Sequence, residues 1–314
     1  MNKITIIGSG NVGSTIAYTL TITGLVPEIV MIDINGEKAL GEAMDIRQGT
    51  PFCPSCNIYA GDYDDAKDSD IVIITCGVAR KPGQTRLDLA QINIDIMKMI
   101  IPQITRYAPD ATYVIVSNPV DILTYVFTKL SGIPENRIIG SGTILDTSRL
   151  RSKLSELYSI NQKNVHAYVL GEHGDSSFVP WSHTNISNIP IEVYKNSIQR
   201  ANGPLPELNK AEIEEYVKKS GSRVIQQKGA TYYAVSMSVC HLCKCLLSGL
   251  DTTVTVSTIV NGEYGLDDVC LSLVNTIGSK RVNGKLLLPL EGEELEKLHL
   301  SAENLKNVLN NVRI

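Results

Sequence analysis

The run Ile7-Gly8-Ser9-Gly10-Asn11-Val12-Gly13 follows a β-rich segment directly and opens a helical pattern. Asp33 closes the next β-rich segment about 20 residues after Gly13, the spacing of a dinucleotide-binding fingerprint. Each part has a physical task. Gly8 permits the tight turn, Gly10 lets main chain approach a pyrophosphate, and Gly13 lets helix and strand pack closely. The helix N-terminus offers free N–H groups and a positive dipole end to phosphate. An aspartate at position 33 accepts hydrogen bonds from ribose hydroxyls and repels a 2′-phosphate, so NAD is favoured over NADP. Far downstream, His173 stands between Gly171 and Gly174, and an imidazole so placed can exchange a proton near neutral pH.

The elements that must hold these residues read as α/β. Short β-rich runs alternate with helical patterns through the first half, as in a parallel sheet covered on both faces. Strands are expected at Ile4–Gly8, Ile29–Asp33, Ile71–Thr75 and Tyr113–Ser117. A helix with Val12, Ile16 and Leu20 on one stripe ends near Gly24, and Ile92–Ile104 repeats the helical pattern. From about Gly142 the chain turns to longer helices and a β-rich patch, Thr252–Val260, and closes on an amphipathic helix carrying Leu305, Val308 and Val312. The expected fold is a Rossmann-type doubly wound parallel sheet with a second α+β substrate-binding lobe packed tightly on it, divided as 1–142 and 143–314.

Composition narrows the class of partner. A net charge of −4 over 314 residues argues against nucleic acid or an anionic membrane surface. No apolar run approaches the roughly 20 residues of a membrane span, and the opening residues read as a buried strand, which points to a cytoplasmic address. Seven cysteines cannot all pair internally, and reduced thiols are expected. Cys53/Cys56 and Cys240/Cys243 have C-x-x-C spacing, but the pairs lie far apart and the second sits in a buried helical pattern beside His241 and Cys245. Small apolar core residues are expected there, and no metal site.

Four further segments carry a family resemblance: Arg80-Lys81-Pro82-Gly83-Gln84-Thr85-Arg86-Leu87-Asp88-Leu89, Ser117-Asn118-Pro119-Val120-Asp121, Gly140 to Arg149, and Gly171-Glu172-His173-Gly174-Asp175. In this order, behind the dinucleotide fingerprint, they resemble the L-lactate/malate dehydrogenase family. The resemblance runs from the first strand to the last helix. It implies an NAD-dependent transfer of hydride to the 2-carbon of a small keto acid, with His173 as acid/base. It further implies Asp146 as the carboxylate orienting His173, Arg149 as a two-pronged clamp on the substrate carboxylate, and Arg86 as a lid arginine polarising the carbonyl. Asn118 then contacts the nicotinamide ribose and the carbonyl region. Cofactor contacts comprise Gly8, Gly10, Val12, Gly13, Asp33, Gly77 and Asn118.

The choice of acid turns on a few positions. Arg80 occupies the lid position where typical lactate enzymes carry Gln and malate enzymes Arg. A guanidinium about 4 Å from a second carboxylate gains about 4 kcal/mol at an effective dielectric near 20, before desolvation. Some clostridial-type lactate enzymes share that Arg. Thr231, the form of Gly171–Asp175 and the Gly140–Arg149 stretch resemble the lactate branch as found in bacteria. Reversible reduction of pyruvate to L-lactate is therefore the expected reaction, with oxaloacetate/malate as the alternative. An NAD-dependent glycosidase would want a Cys/His metal pair near the cofactor, and no Cys lies near His173 in sequence. A non-catalytic NAD sensor would be expected to have lost His173, Arg149 or Arg86. The resemblance also implies a homotetramer. Arg151 and His166 match the two cationic positions that bind fructose 1,6-bisphosphate in allosteric members.

Overall fold

The computed structural model describes residues 2–78, 85–198, 203–290 and 292–314, and all of Arg86 but its side chain. The first half builds β1 (Lys3–Ile7), α1 (Asn11–Thr23), β2 (Glu28–Ile32), α2 (Gly36–Gly49), β3 (Asn57–Ala60), β4 (Ile71–Ile74), α3 (Arg86–Tyr107), β5 (Thr112–Ile115), α4 (Val120–Leu130) and β6 (Ile138–Gly140). The second half builds α5 (Ile144–Tyr158), β7 (Val165–His166), β8 (Asn185–Ile186), β9 (Ile189–Pro190), α6 (Ile191–Ser197), α7 (Lys210–Lys228) and α8 (Tyr233–Leu247). It closes with β10 (Thr252–Asn261), β11 (Asp267–Gly278), β12 (Arg281–Leu286) and α9 (Glu293–Asn310).

The first six strands lie in the order β3-β2-β1-β4-β5-β6, every neighbouring pair parallel. That is the doubly wound dinucleotide-binding order, with its crevice at the β1/β4 switch point. The central strands are apolar throughout because helices cover both faces: Ile4, Ile6, Ile71 and Ile73 point to one side, Ile7, Val72 and Ile74 to the other. One face packs on α1, α2 and α8 and the other on α3, α4 and α9. A third cluster, around Leu150, Trp181 and Ile213, fills the space between α5, α7 and the small antiparallel sheet β7-β8-β9.

The expected strands appear within a residue or two of their observed limits. Helix α1 ends as its sequence dictates, since Gly24 adopts φ of 61° and its N–H turns back to the last carbonyls of the helix. Helix α3 opens on a capping box, in which Thr85 Oγ1 accepts from Asp88 N and Asp88 Oδ2 accepts from Thr85 N. The β-rich patch does more than expected. Strands β10, β11 and β12 form no sheet of their own; they add antiparallel to the first-half sheet through Ser257 opposite Gly140, giving nine strands in one layer. Cys240, Cys243 and Cys245 are buried on α8, as core residues, while Cys53 and Cys56 are half-buried. Among the described residues no helix is long and apolar enough to cross a membrane.

Candidate active site

The glycine loop between β1 and α1 is shaped by what its neighbours leave free. Gly8 has φ of 106°, and a Cβ there would meet Thr75 Oγ1 at 2.7 Å and Cys76 N at 2.8 Å. A Cβ on Gly13 would lie 1.8 Å from Gly8 O, so the close contact of helix and strand requires glycine. Gly10 faces open space, with nothing within 4 Å of its would-be Cβ. It is also the N-cap of α1 without a side-chain cap bond, which leaves the helix N-terminus presented outward. Asp33 Oδ2 accepts from Ser9 N at 2.6 Å and Oδ1 from Asn35 N at 2.9 Å, which fixes the carboxylate at the end of β2. An open glycine at a bare helix N-terminus, beside a fixed carboxylate, fits a dinucleotide pyrophosphate and its ribose.

Beside this loop opens a cleft of about 480 Å³. Val12, Gly77 and Asn118 line its first-half wall; Asp146, Arg149, His173 and Thr231 line the other. Asn93, buried on α3, ties the first wall together. Its Oδ1 accepts from Val78 N at 2.9 Å and its Nδ2 donates to Asn118 O at 2.7 Å. The Asn118-Pro119 peptide is cis.

His173 and Asp146 meet at the cleft floor. His173 Nδ1 and Asp146 Oδ2 are 2.6 Å apart, and because a carboxylate only accepts, Nδ1 carries the hydrogen and Nε2 is left to exchange a proton. Asp146 Oδ1 accepts from Arg149 Nη1 at 2.8 Å, one helical turn along α5. The charge of Asp146 raises the His173 pKa to about 9 against the lowering effect of burial, helped by their hydrogen bond and by Asp121, and opposed by Arg149. Burial pulls Asp146 upward, yet His173 and Arg149 hold it below the ordinary carboxylate value. With 27% of its side chain exposed, His173 remains open to a small molecule in the cleft.

The loop bearing His173 is sewn down on three sides. Gly171 exchanges backbone hydrogen bonds with Ser272 of β11, Glu172 N donates to Ser301 Oγ of α9 at 2.6 Å, and His173 N donates to Asp121 Oδ2 of α4 at 2.8 Å. Sequence reasoning missed Asn93, Asp121 and Ser301, together with Lys218 and Gly221 of α7 at the cleft. A Cβ on Gly221 would sit 3.5 Å from Arg149 Nη2, so that glycine makes room for the guanidinium. Asp121 ends the run Ser117-Asn118-Pro119-Val120-Asp121, which is its signal in the sequence; the others have none in spacing. Arg80 and the side chain of Arg86 lie outside the described residues. Arg151 and His166 lie away from the cleft, with Arg151 tied to the main chain next to His166. Arg151 Nε donates to the carbonyl of Ala167 at 3.1 Å, with its guanidinium 5.8 Å from the Tyr168 ring centre, while His166 is exposed on β7.

Comparison with known proteins decides the family. The family model for the lactate/malate dehydrogenase NAD binding domain matches residues 2–140, and that for the lactate/malate dehydrogenase alpha/beta C-terminal domain matches residues 143–313. The chain belongs to the lactate/malate dehydrogenase family.

Within this dehydrogenase family, an L-lactate dehydrogenase of Thermoanaerobacterium saccharolyticum is 46% identical, covering 100% of this chain and 100% of that protein. One from Clostridium botulinum is 47% identical, covering 98% of this chain and 96% of that protein. Among solved structures, a minor L-lactate dehydrogenase from Enterococcus mundtii, in a ligands-bound form, superposes with a TM-score of 0.93 at 37% identity, covering 100% of this chain and 99% of that one. An L-lactate dehydrogenase from Clostridium thermocellum gives 0.88 at 41% identity, covering 100% of both chains. The chain is thus an NAD-dependent oxidoreductase of this family, with its NAD-binding domain in the first half.

Proposed function

We propose that the chain is an L-lactate dehydrogenase reducing pyruvate to L-lactate, reversibly. The joining of Asp146, His173 and Arg149 in one hydrogen-bonded chain at the cleft floor carries this reading. NADH, when bound along the glycine loop at Gly8, Gly10, Val12, Gly13, Asp33, Gly77 and Asn118, supplies the hydride. Arg149 holds the substrate carboxylate by two parallel hydrogen bonds and fixes the carbonyl toward His173. Arg86 closes over the carbonyl from the lid, and Asn118 and Thr231 bound the pocket. Protonated His173 donates from Nε2 to the carbonyl oxygen as charge develops there, and Asp146 stabilises the imidazolium beforehand. In the reverse direction neutral His173 takes the hydroxyl proton. The units 1–142 and 143–314 divide cofactor from substrate binding.

The similarity to L-lactate dehydrogenases on both sequence and structure favours pyruvate over oxaloacetate. Arg80 is the one residue that favours malate. Steady-state consumption of NADH with each keto acid tests the choice: kcat/KM is expected to be higher for pyruvate, and Arg80→Gln is expected to widen the difference. A wild-type preference for oxaloacetate of roughly tenfold, worth about 1.4 kcal/mol in the transition state, would assign the chain to the malate branch.

The chain acts in the cytoplasm as a homotetramer. Exposed apolar side chains on adjoining helices, Tyr18 and Ile22 of α1, Leu40 and Met44 of α2, Tyr233 and Met237 of α8, support self-association. Arg151 and His166 form a site for fructose 1,6-bisphosphate between subunits.

A further inference from the structure

Asp121 is buried in the first turn of α4, 2% exposed, and its two oxygens are both engaged. Oδ2 accepts from the main-chain N–H of His173 at 2.8 Å and Oδ1 accepts from Ser257 Oγ of β10 at 2.6 Å. Neither partner demands a charge, since an amide oxygen accepts from an N–H and a serine hydroxyl can turn to accept from an amide NH₂. The buried site works against ionisation. The titratable groups facing Asp121 are His173 and Glu172 on the 171–177 loop and the Cys270 thiol of β11; of these only His173 can become a cation. His173 is in turn faced by Asp146 and Arg149 of α5.

We infer that Asp121 is a positioning residue for the acid/base step: it anchors the main chain of His173 from beneath and supplies a second buried anion that keeps the imidazole charged. The inference rests on the reading of His173 as the proton-exchanging group. Asp146 already fixes the ring by its Nδ1, but one hydrogen bond leaves the ring free to swing with its backbone. Asp121 removes that freedom by holding the peptide itself, and Ser257 holds Asp121 against β10, so the loop is referenced to the sheet. Charge agrees with geometry. Asp121 adds to the raising of His173, while burial lifts Asp121 itself to about 6 against the bonds from Ser257 and His173. The carboxylate is therefore ionised at neutral pH and protonates on mild acidification.

The test is a pH titration of the His173 ring by NMR in the full-length chain labelled with ¹³C-histidine, the signal being assigned by its loss in His173→Gln. In Asp121→Asn the ring midpoint is expected to fall by about one unit, and the alkaline loss of pyruvate reduction is expected to move with it. A midpoint unchanged in Asp121→Asn overturns the inference, whatever happens to the melting temperature, because a purely structural role would move only the latter. Should Asp121→Asn fail to fold, the wild-type chain decides: the His173 backbone amide signal is expected to shift through a midpoint of about 6 as its acceptor protonates. A flat amide response down to acid unfolding overturns the inference. A wild type inactive on both pyruvate and oxaloacetate would refute the proposed function and leave the ring titration to judge Asp121 separately.

Discussion

At the scale of single residues, the protonation of His173 sets both rate and stability with pH. Pyruvate reduction needs the charged imidazole, so its rate is expected to hold through neutrality and fall as pH rises through about 9. Lactate oxidation, which needs the neutral ring, is expected to rise over the same interval. The stability effect has the same sign as the reduction rate. A folded-state value above the ordinary histidine value of about 6.5 means that the His173–Asp146 pair stabilises the fold fully below that pH, and the contribution is lost as pH rises through about 9. His173→Ala is expected to lower turnover by about 10²- to 10⁴-fold, while NADH affinity, read by quenching of its fluorescence, stays near that of the wild type. A turnover unchanged in the variant would remove His173 from the mechanism. The His173, Asp146 and Arg149 positions were legible in the sequence because each stands inside a run whose neighbours are constrained as well. Asn93, Ser301 and Gly221 were not, because each acts through contacts that only the fold creates: an amide bridging two loops, a hydroxyl under Glu172, and an absent side chain beneath a guanidinium.

At the scale of elements, the β1 loop and α1 form one piece. The contact between Gly13 and the Gly8 carbonyl sets how closely helix meets strand. Gly13→Ala must push α1 away from β1 and so displace the helix N-terminus that faces the pyrophosphate. NADH affinity is expected to fall by at least about tenfold, with a lower melting temperature, because overpacking a tight contact costs about 1–3 kcal/mol. Isothermal titration with NADH checks this; unchanged binding would mean that the helix N-terminus carries little of the affinity. The parallel strands announced themselves as continuous apolar runs with turn residues at their ends, and α1 by its stripe and Gly24. Strands β3 and β6 were harder to read. Asn57–Ala60 is an edge strand with one buried residue and so lacks the continuous apolar run of its neighbours, and Ile138–Gly140 has only three residues in which to show one. The patch at Thr252–Val260 was legible as strand, but its partner was not, since pairing with β6 is a property of the assembled sheet.

At the scale of the whole molecule, Arg151 and His166 lie apart from the cleft, so the proposed effector, bound there, would act on the substrate only by shifting the population of states. Burial, then the nearby charges of Lys244 and Arg151, push the pKa of His241 on α8 down, so Arg151 and Lys244 carry the positive charge there and His241 stays neutral. Like charges facing across a subunit boundary repel, and two phosphates relieve that repulsion. Titrating fructose 1,6-bisphosphate at subsaturating pyruvate is expected to raise the wild-type rate at mildly acid pH, with the tetramer favoured in light scattering. The response is expected to disappear in Arg151→Gln. No activation of the wild type, or equal activation of the variant, would discard the effector site.

The nine-stranded sheet also bears on how the chain is made. A ribosome delivers β1 to β6 first, and these strands can assemble with α1 to α4 at once. The outer side of β6 must then wait, because its partner β10 is delivered only after α5, the small sheet, α7 and α8. Through that interval the nascent chain carries an open strand edge, the kind of surface on which other chains pair. Arrival of β10 closes the edge and, in the same act, brings Ser257 to Asp121, whose other oxygen takes the His173 amide. Covering of the β6 edge and anchoring of Asp121 thus meet at the seam between Gly140 and Ser257, before β11 and α9 add their own ties to the His173 loop.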